Sequence, residues 1–295
     1  MNGAVPAVLQ SFHGAPTLLG VPYDGASSFM RGAAAAPPRI REALLSPASN
    51  LWTELGADLG APDALGDAGD LVLAHDLRGA DVLACIEKGV SELVEGGRRP
   101  IVLGGDHSIT TGIVRAVRRA HPRLTILHFD AHPDLYDEFD GDRWSHASPF
   151  ARVMEEHLAD ALIQVGIRTM NGRQRAQAER FGVEVIDMPA WTAGRRFTLP
   201  PQEPVYISID CDVFDPAFAP GVSHREPGGL SARDVISVVQ QLRAPIVGAD
   251  VVECNPSRDP VGLTATLCAK LVKEVAGAMH LSAVIGHARE GGSES

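Results

Sequence analysis

Aromatic residues are scarce in this chain, at 5% of its 295 residues, while Ala, Val, Leu and Gly are plentiful. That balance favours close helix-on-sheet packing over an aromatic binding surface. Cysteine is also sparse. Cys85, Cys211, Cys254 and Cys268 show no Cys-x-x-Cys pair and no regular spacing. Cys211 and Cys254 sit inside apolar, strand-like runs and read as small buried hydrophobes of a reducing compartment. Positive charge is in deficit: the formal net charge is −11. This argues against binding a phosphate backbone or an anionic membrane surface, and is compatible with a cationic substrate. No apolar run approaches the ~20 residues that would span a bilayer. The first 15 residues lack the basic start and continuous apolar core of a signal peptide. The expectation is a cytoplasmic protein with no nucleic-acid or membrane partner.

What is present is the composition of a globular enzyme, 45% hydrophobic and 21% charged, with enough chain to bury a large core. Apolar runs alternate with helical periodicity. Strands are predicted over 17–22, 101–105, 124–130, 161–167, 183–187, 205–210 and 246–252. Helices are predicted over 39–45, 81–95, 109–120, 146–158, 171–181, 231–242 and 262–280. Ser231 and Asp234 are spaced as a capping box. Such alternation implies an α/β fold with a mostly parallel sheet covered by helices on both faces. No repeat or linker divides the chain, so residues 1–295 read as a single domain, with 1–14 and 288–295 as flexible tails.

Three of the strands run into metal-type ligands. Residues 124–129 lead into Asp130-Ala131-His132-Pro133-Asp134, whose alternate side chains share one direction on extended backbone. Residues 101–103 lead into Gly104-Gly105-Asp106-His107-Ser108, and 205–209 into Asp210-Cys211-Asp212. Taken singly, an Asp-x-Asp or an Asp-His-Ser after a strand is as readily a turn or a helix cap. Taken together, His107, Asp130, His132, Asp134, Asp210 and Asp212 meet at the carboxyl ends of parallel strands, where open α/β sheets place their sites. Four carboxylates and two imidazoles suit a pair of divalent first-row ions.

These segments resemble the ureohydrolase family, which includes arginase and agmatinase. The likeness runs from about Gly20 to Ala276. It is carried by GVPYDGASSFMRGAAAAPPRIREAL, LGGDHSIT, FDAHPDLYD, WSHASPFAR, SIDCDVFDPAFAPGVSHREPGGLS and VVECNPSRD. The SHASPF and GVSHREPGGL versions look nearest to the plant-type arginase branch and its bacterial relatives. The resemblance implies a three-layer α/β/α domain, two Mn²⁺ ions per subunit bridged by a hydroxide that attacks the guanidinium carbon, and a homo-oligomer, trimer or hexamer. It also implies that Asp130 and Asp210 bridge the metals, that His107 and Asp134 complete one site, and that His132 and Asp212 complete the other.

Guanidino chemistry asks for two further groups. A carboxylate must hold the cation as a bidentate fork, and Glu253, at the end of the apolar run 246–252, is the candidate. A proton carrier must serve the leaving amine, and His146 in WSHASPF is the candidate. Asp106 and Asp250 are candidates for orienting ligand imidazoles. His128 lies on the ligand side of its strand. His121, His157, His280 and His287 read as surface.

The substrate is a small cationic guanidino compound. The loop 137–142 carries four acidic residues beside the expected mouth, which favours an amine tail and so agmatine, yielding putrescine and urea. Arginine is the alternative, with Ser145 and His224, or Arg143, Ser223 and Arg225, as donors to its carboxylate. Val222-Ser223-His224-Arg225-Glu226-Pro227 departs from the Thr-Gly-Thr-Pro form common in agmatinases. Another guanidino substrate, a non-catalytic metal-binding subunit and a deacetylase-like amide hydrolase are the remaining alternatives.

Overall fold

The computed structural model describes residues 14–290 apart from 196, 198, 201 and 202, with backbone alone from 283 onward. Most of both expected tails therefore lies outside the described residues. Residues 288–290, expected in the C-terminal tail, instead continue a helix.

Among the described residues, eight parallel strands form the sheet: β1 (Pro16–Val21), β2 (Gly66–Asp70), β3 (Arg99–Gly104), β4 (Thr125–Phe129), β5 (Ala161–Ile167), β6 (Glu184–Asp187), β7 (Val205–Asp210) and β8 (Ile246–Val252). Their order is β2-β1-β3-β8-β7-β4-β5-β6. Composition tracks this order. The inner strands β3, β4, β7 and β8 are buried at every residue, as continuous apolar runs between two helical layers must be. The edge strand β2 (GDAGD) is polar and mostly exposed, and the edge strand β6 (EVID) is short with acids at both ends, which blunts edge-to-edge pairing.

Among the described residues, seven α-helices cover the faces: α1 (Ala36–Leu44), α2 (Gly79–Glu95), α3 (Ile109–Ala120), α4 (Pro149–Glu155), α5 (Gly172–Phe181), α6 (Ala232–Gln241) and α7 (Leu263–Glu290). Ile40, Val235 and Leu271 from α1, α6 and α7 pack on one face with Ile101, Leu103 and Leu127. Leu83, Ile113, Phe150 and Ala178 from α2 to α5 pack on the other with Val102 and Ile126. Adjacent strand residues thus feed opposite cores, as the pleat requires. The expected three-layer α/β arrangement is what the chain forms.

The capping box on α6 is present, and an equivalent one, Asn171 with Gln174, starts α5. Helix α4 is shorter than the predicted 146–158. Ser145–Ser148 close a turn, with Ser148 N–H donating to the Ser145 carbonyl at 3.0 Å. The helix then begins at Pro149, whose missing N–H costs nothing at a first position. His146 is consequently presented from a turn rather than a helix.

His121, expected at the surface, is buried at the end of α3, and burial lowers its pKa to about 4. His280 is partly buried, its Nε2 2.7 Å from the Ala64 carbonyl. His157 is exposed as expected, while the side chain of His287 is outside the described residues.

Candidate metal centre

The four inner strands β3, β8, β7 and β4 deliver the site. Chain order explains why they are adjacent. The β3–β4 connection skips two places that β7 and β8 later fill, creating the switch point at which such sheets open a crevice. Gly105 makes the exit from β3 possible. Its backbone passes so close to Tyr23 that a Cβ would lie 1.6 Å from the Tyr23 carbonyl oxygen. His107 and Glu253 are locked together in this corner, since Glu253 N–H donates to the Gly105 carbonyl (2.9 Å) and Glu253 Oε1 accepts from His107 N–H (3.0 Å).

The structure brings the six expected metal-type residues together. His107 Nδ1 lies 3.2 Å from Asp130 Oδ2, 3.1 Å from Asp134 Oδ2 and 3.1 Å from Asp210 Oδ2. Across the cluster, His132 Nδ1 lies 3.0 Å from Asp212 Oδ2 and 3.5 Å from Asp130 Oδ1. Asp130 is common to both halves.

These residues fit a bound cation pair. His107 Nδ1 is buried and, although three carboxylates surround it, makes no hydrogen bond of proper geometry. Its other nitrogen is fixed, with Nε2 3.0 Å from Ser208 Oγ and that hydroxyl donating to Asp250 Oδ1 at 2.7 Å. An imidazole anchored through one nitrogen with the other aimed at carboxylates is the usual arrangement of a metal ligand. Ligands sharing one small octahedral ion are held about 3 Å apart, which is the spacing found here. Asp130, His132 and Asp212 form a second group able to hold an ion.

Without cations the charges are in conflict. Burial works against protonating His107, but Asp130, Asp134 and Asp210 outweigh it and raise its pKa well above the usual value. Burial, then Asp212 and Asp130, push Asp210 well above the carboxylate range. Burial, opposed by His132 but reinforced by Asp130, lifts Asp212 to about 6. Divalent ions would relieve the same repulsion.

His128 also approaches this group, but both its nitrogens are engaged. Nε2 is 2.9 Å from Asp130 Oδ2 and Nδ1 is 3.1 Å from Gln164 Nε2. It therefore reads as a brace for Asp130. Asp250 reaches His107 only through Ser208. Asp106 orients no imidazole. It accepts from Ala26 N–H (2.9 Å) and Ser27 Oγ (3.3 Å) and pins the loop after β1.

Glu253 and His146 face each other above the cluster, with Glu253 Oε1 3.1 Å from His146 Nδ1. His146 Nε2 lies 2.9 Å from Ser28 Oγ. Burial opposes the charge on His146, but the Glu253 carboxylate prevails and raises its pKa to about 9. The ring stacks on His224 at 5.3 Å. Asp134 and Glu253 both take left-handed backbone, φ 48° and 61°, a conformation that non-glycine residues keep where surrounding structure imposes it.

A cavity of about 170 Å³ opens onto the cluster. Asp134, Asp210, Asp212, His132, Glu253 and His146 form its floor and inner wall. Its outer wall includes Ser28, Tyr136, Phe139, Thr169, Gln174 and His224; of these only His224 was singled out from the sequence. Ser145 is not on this wall. It is buried in the turn beneath His146, where its Oγ accepts from Ala147 N–H at 3.3 Å. A larger cavity, about 920 Å³, lies between α1 and α7 and contains none of the candidate ligands.

Of the four acids in the loop, one is ion-paired and none is among the residues lining the cavity. Asp137 is paired with Arg143 and Arg152, both at 2.9 Å. Asp142 accepts from Trp144 N–H. From this loop it is Phe139, not an acid, that reaches the cavity.

A sheet of this order with histidines and aspartates gathered at its centre defines a metal-dependent α/β hydrolase, and comparison with known proteins narrows the class. A sequence model of the Arginase family matches residues 15–277, and the chain belongs to that family. It is 47% identical to "Arginase 1, mitochondrial" of Arabidopsis thaliana, over 94% of this chain and 84% of that protein. It is 35% identical to proclavaminate amidinohydrolase of Streptomyces clavuligerus, over 88% of this chain and 86% of the relative. Among solved structures, arginase from Medicago truncatula superposes with a TM-score of 0.84 at 42% identity, covering 92% of this chain and 95% of the other. Family members are binuclear manganese enzymes acting on C–N bonds of amidines, and this chain is an arginase-family hydrolase. The expectation of a cytoplasmic protein is overturned, because the Arabidopsis relative is named as mitochondrial. Four free cysteines without a Cys-x-x-Cys pair do not separate one reducing compartment from another.

Proposed function

We propose that the protein is an arginase, converting arginine to ornithine and urea, with Mn²⁺ held by His107, Asp130, Asp134 and Asp210 on one side and by Asp130, His132, Asp210 and Asp212 on the other. This replaces agmatine as the preferred substrate. The observation that carries the reading is the cavity wall. All four lining carboxylates, Asp134, Asp210, Asp212 and Glu253, sit at the metal end. The outer wall offers Ser28, Tyr136 and Gln174, neutral groups able to donate hydrogen bonds to a carboxylate. Agmatine has no carboxylate, whereas arginine does. The Arabidopsis and Medicago relatives named as arginases support the same choice.

The bound metal pair would supply water activated near neutral pH. The protein's own residues do the rest. Glu253 accepts the guanidinium as a fork, with its backbone held by Gly105 and its Oε1 already positioned by His107 N–H. His146 carries a proton between Glu253 and Ser28 and delivers it to the departing amine. The four buried aspartates lower the site's positive charge, so that a cationic substrate is not repelled.

The test is urea release by Mn²⁺-loaded protein on arginine, agmatine, 4-guanidinobutyrate and guanidine in parallel. Arginine is expected to give the highest kcat/KM. A preference for agmatine would overturn the reading and make Glu226, whose Oε1 is 3.7 Å from His132 Nε2, the acceptor for its amine.

A further inference from the structure

Two loops form the rim of the cavity. The first, residues 24–32, brings Ser28 to His146 and Phe29 to within 5.7 Å of the His224 ring. The second, residues 221–226, brings His224 over His146 and Glu226 toward His132. Little apolar packing holds the tip of the first loop, since Phe29 and Met30 are 49% and 41% exposed. Its base is fixed, because Asp24 Oδ2 accepts from Gly32 and Ala34 N–H and Asp106 accepts from Ala26 N–H and Ser27 Oγ.

One side chain joins the tip to the second loop. Asn255 is fully buried, two residues beyond Glu253. Its Nδ2 donates to the Met30 carbonyl (2.8 Å) and to Ser223 Oγ (3.0 Å). Ser223 Oγ in turn donates to the same Met30 carbonyl at 2.8 Å. The other end of the amide is also held: Oδ1 accepts from Ser257 N–H (3.1 Å) and Ser257 Oγ (2.6 Å). With donors on one side and acceptors on the other, the amide has a single satisfactory orientation. Asn255 N–H also donates to the Gly221 carbonyl at 2.7 Å. The chain is built around this amide. Met30 holds φ 45°, and residue 32 is glycine where a Cβ would lie 2.3 Å from Asn255 Oδ1.

We propose that Asn255 is a positioning residue for substrate selection: by tying Met30 and Ser223 to the end of β8 it fixes the separation of the two rim loops, and hence the length of guanidino acid whose carboxylate meets the outer wall. This rests on the arginase reading. Asn255 touches neither Glu253 Oε1 nor the metal cluster in any contact described, so its effect belongs to substrate fit rather than to the chemical step.

Asn255→Asp keeps the shape and the Oδ1 contacts with Ser257 but removes both donors, leaving a carboxylate oxygen against the Met30 carbonyl. Ser223→Ala removes a smaller share of the same tie and leaves Asn255 in place. Each variant is assayed on arginine, 4-guanidinobutyrate and 3-guanidinopropionate, with Mn²⁺ content and Tm measured alongside. For Asn255→Asp, the arginine KM is expected to rise about tenfold or more, kcat to stay within about threefold, and the preference for arginine over the shorter acids to shrink by a similar factor. Ser223→Ala should shift the same quantities in the same direction by less. An unchanged KM and preference in Ser223→Ala, or a loss of kcat at constant KM in either variant, would overturn the proposal. If wild-type protein prefers a different guanidino acid, the arginase reading fails on its own, and the KM and selectivity shifts are read on that substrate instead.

Discussion

Replacing Glu253 by Gln tests the proposed chemistry with the smallest change of shape. The wild-type carboxylate is almost wholly buried and accepts from His107 N–H at 3.0 Å, with His146 Nδ1 at 3.1 Å. Burial disfavours its charge, but the bond to His146 keeps its pKa below the ordinary glutamate value, so it is ionised at neutral pH. A guanidinium held by this group makes charge-assisted hydrogen bonds, each worth about 1.5–3 kcal/mol. Gln keeps one acceptor and turns the other into a donor that faces the cation. Losing one bond of the fork therefore costs at least about 1.5–3 kcal/mol, or roughly 10–10² in kcat/KM at about 1.4 kcal/mol per decade, and the donor facing the cation adds to it. None of the close contacts within the aspartate–histidine cluster involves Glu253 Oε atoms, so Mn²⁺ content should stay at the wild-type value. The assay is urea release on arginine with metal analysis of the same sample. A drop of less than about tenfold would refute the clamp. Loss of metal together with activity would make Glu253 a ligand instead.

Three further outcomes follow from the same geometry. Ser208→Ala removes the link between His107 Nε2 and Asp250 and should weaken metal binding about 10–100-fold, measured by competition with a chelator, while leaving the cavity wall intact. Stripping the metal should lower Tm on the order of 10 °C, because ligand-linked stabilisation of about 4 kcal/mol at a thousandfold excess over Kd is lost and the buried aspartates are left to repel; an unchanged Tm in calorimetry would mean the cluster holds no structural cation. In the metal-free protein, the His146 pKa raised to about 9 contributes stability that is fully present below the unfolded value of about 6.5 and is lost as pH rises through 9, so Tm should fall across that window and fall less in Glu253→Gln.

The parts of the fold that were legible are those where one physical demand dominates. Residues 205–210 and 246–252 had to be strands because short, mainly apolar runs rich in β-branched residues bury both faces, and the proposed ligands had to follow them because a parallel sheet opens at its carboxyl end. Local rules failed where pairing across the chain decided the outcome. Four acids in 137–142 suggested a cationic subsite, but Arg152 lies in α4 and folds back to donate to the Asp137 carbonyl and side chain. That pairing of Asp137 with a distant arginine has no signature in the loop itself, and neither does the placement of the other three acids outside the cavity lining. The start of α4 is hidden in the sequence because His146 and Ala147 fit a helical pattern and Pro149 alone marks the boundary. Asn255 was overlooked because an Asn-Pro pair after a strand reads as an ordinary turn.

The support beneath the cluster did leave a trace, and it shows why the site is rigid. In each of four buried strands a polar residue interrupts the apolar interior of the run: Gln164 in ALIQVGI, His128 in TILHF, Ser208 in VYISID and Asp250 in IVGADVV. The structure sets them side by side in register, Gln164 opposite His128, His128 opposite Ser208, and Ser208 opposite Asp250. Each buried polar group would be costly alone. Aligned, they satisfy one another and the layer above, Gln164 and His128 bracing Asp130 while Ser208 and Asp250 brace His107. Tyr206 and Thr110 complete the acceptors of Asp250 at 2.6 and 2.9 Å. A hydrogen-bonded row built into the sheet therefore lies directly below the proposed ligands, and their positions follow from strand register rather than from loop conformation. A one-residue slip in β7 or β4 would turn the row and the ligands to opposite faces together, so the register that makes the core also makes the site.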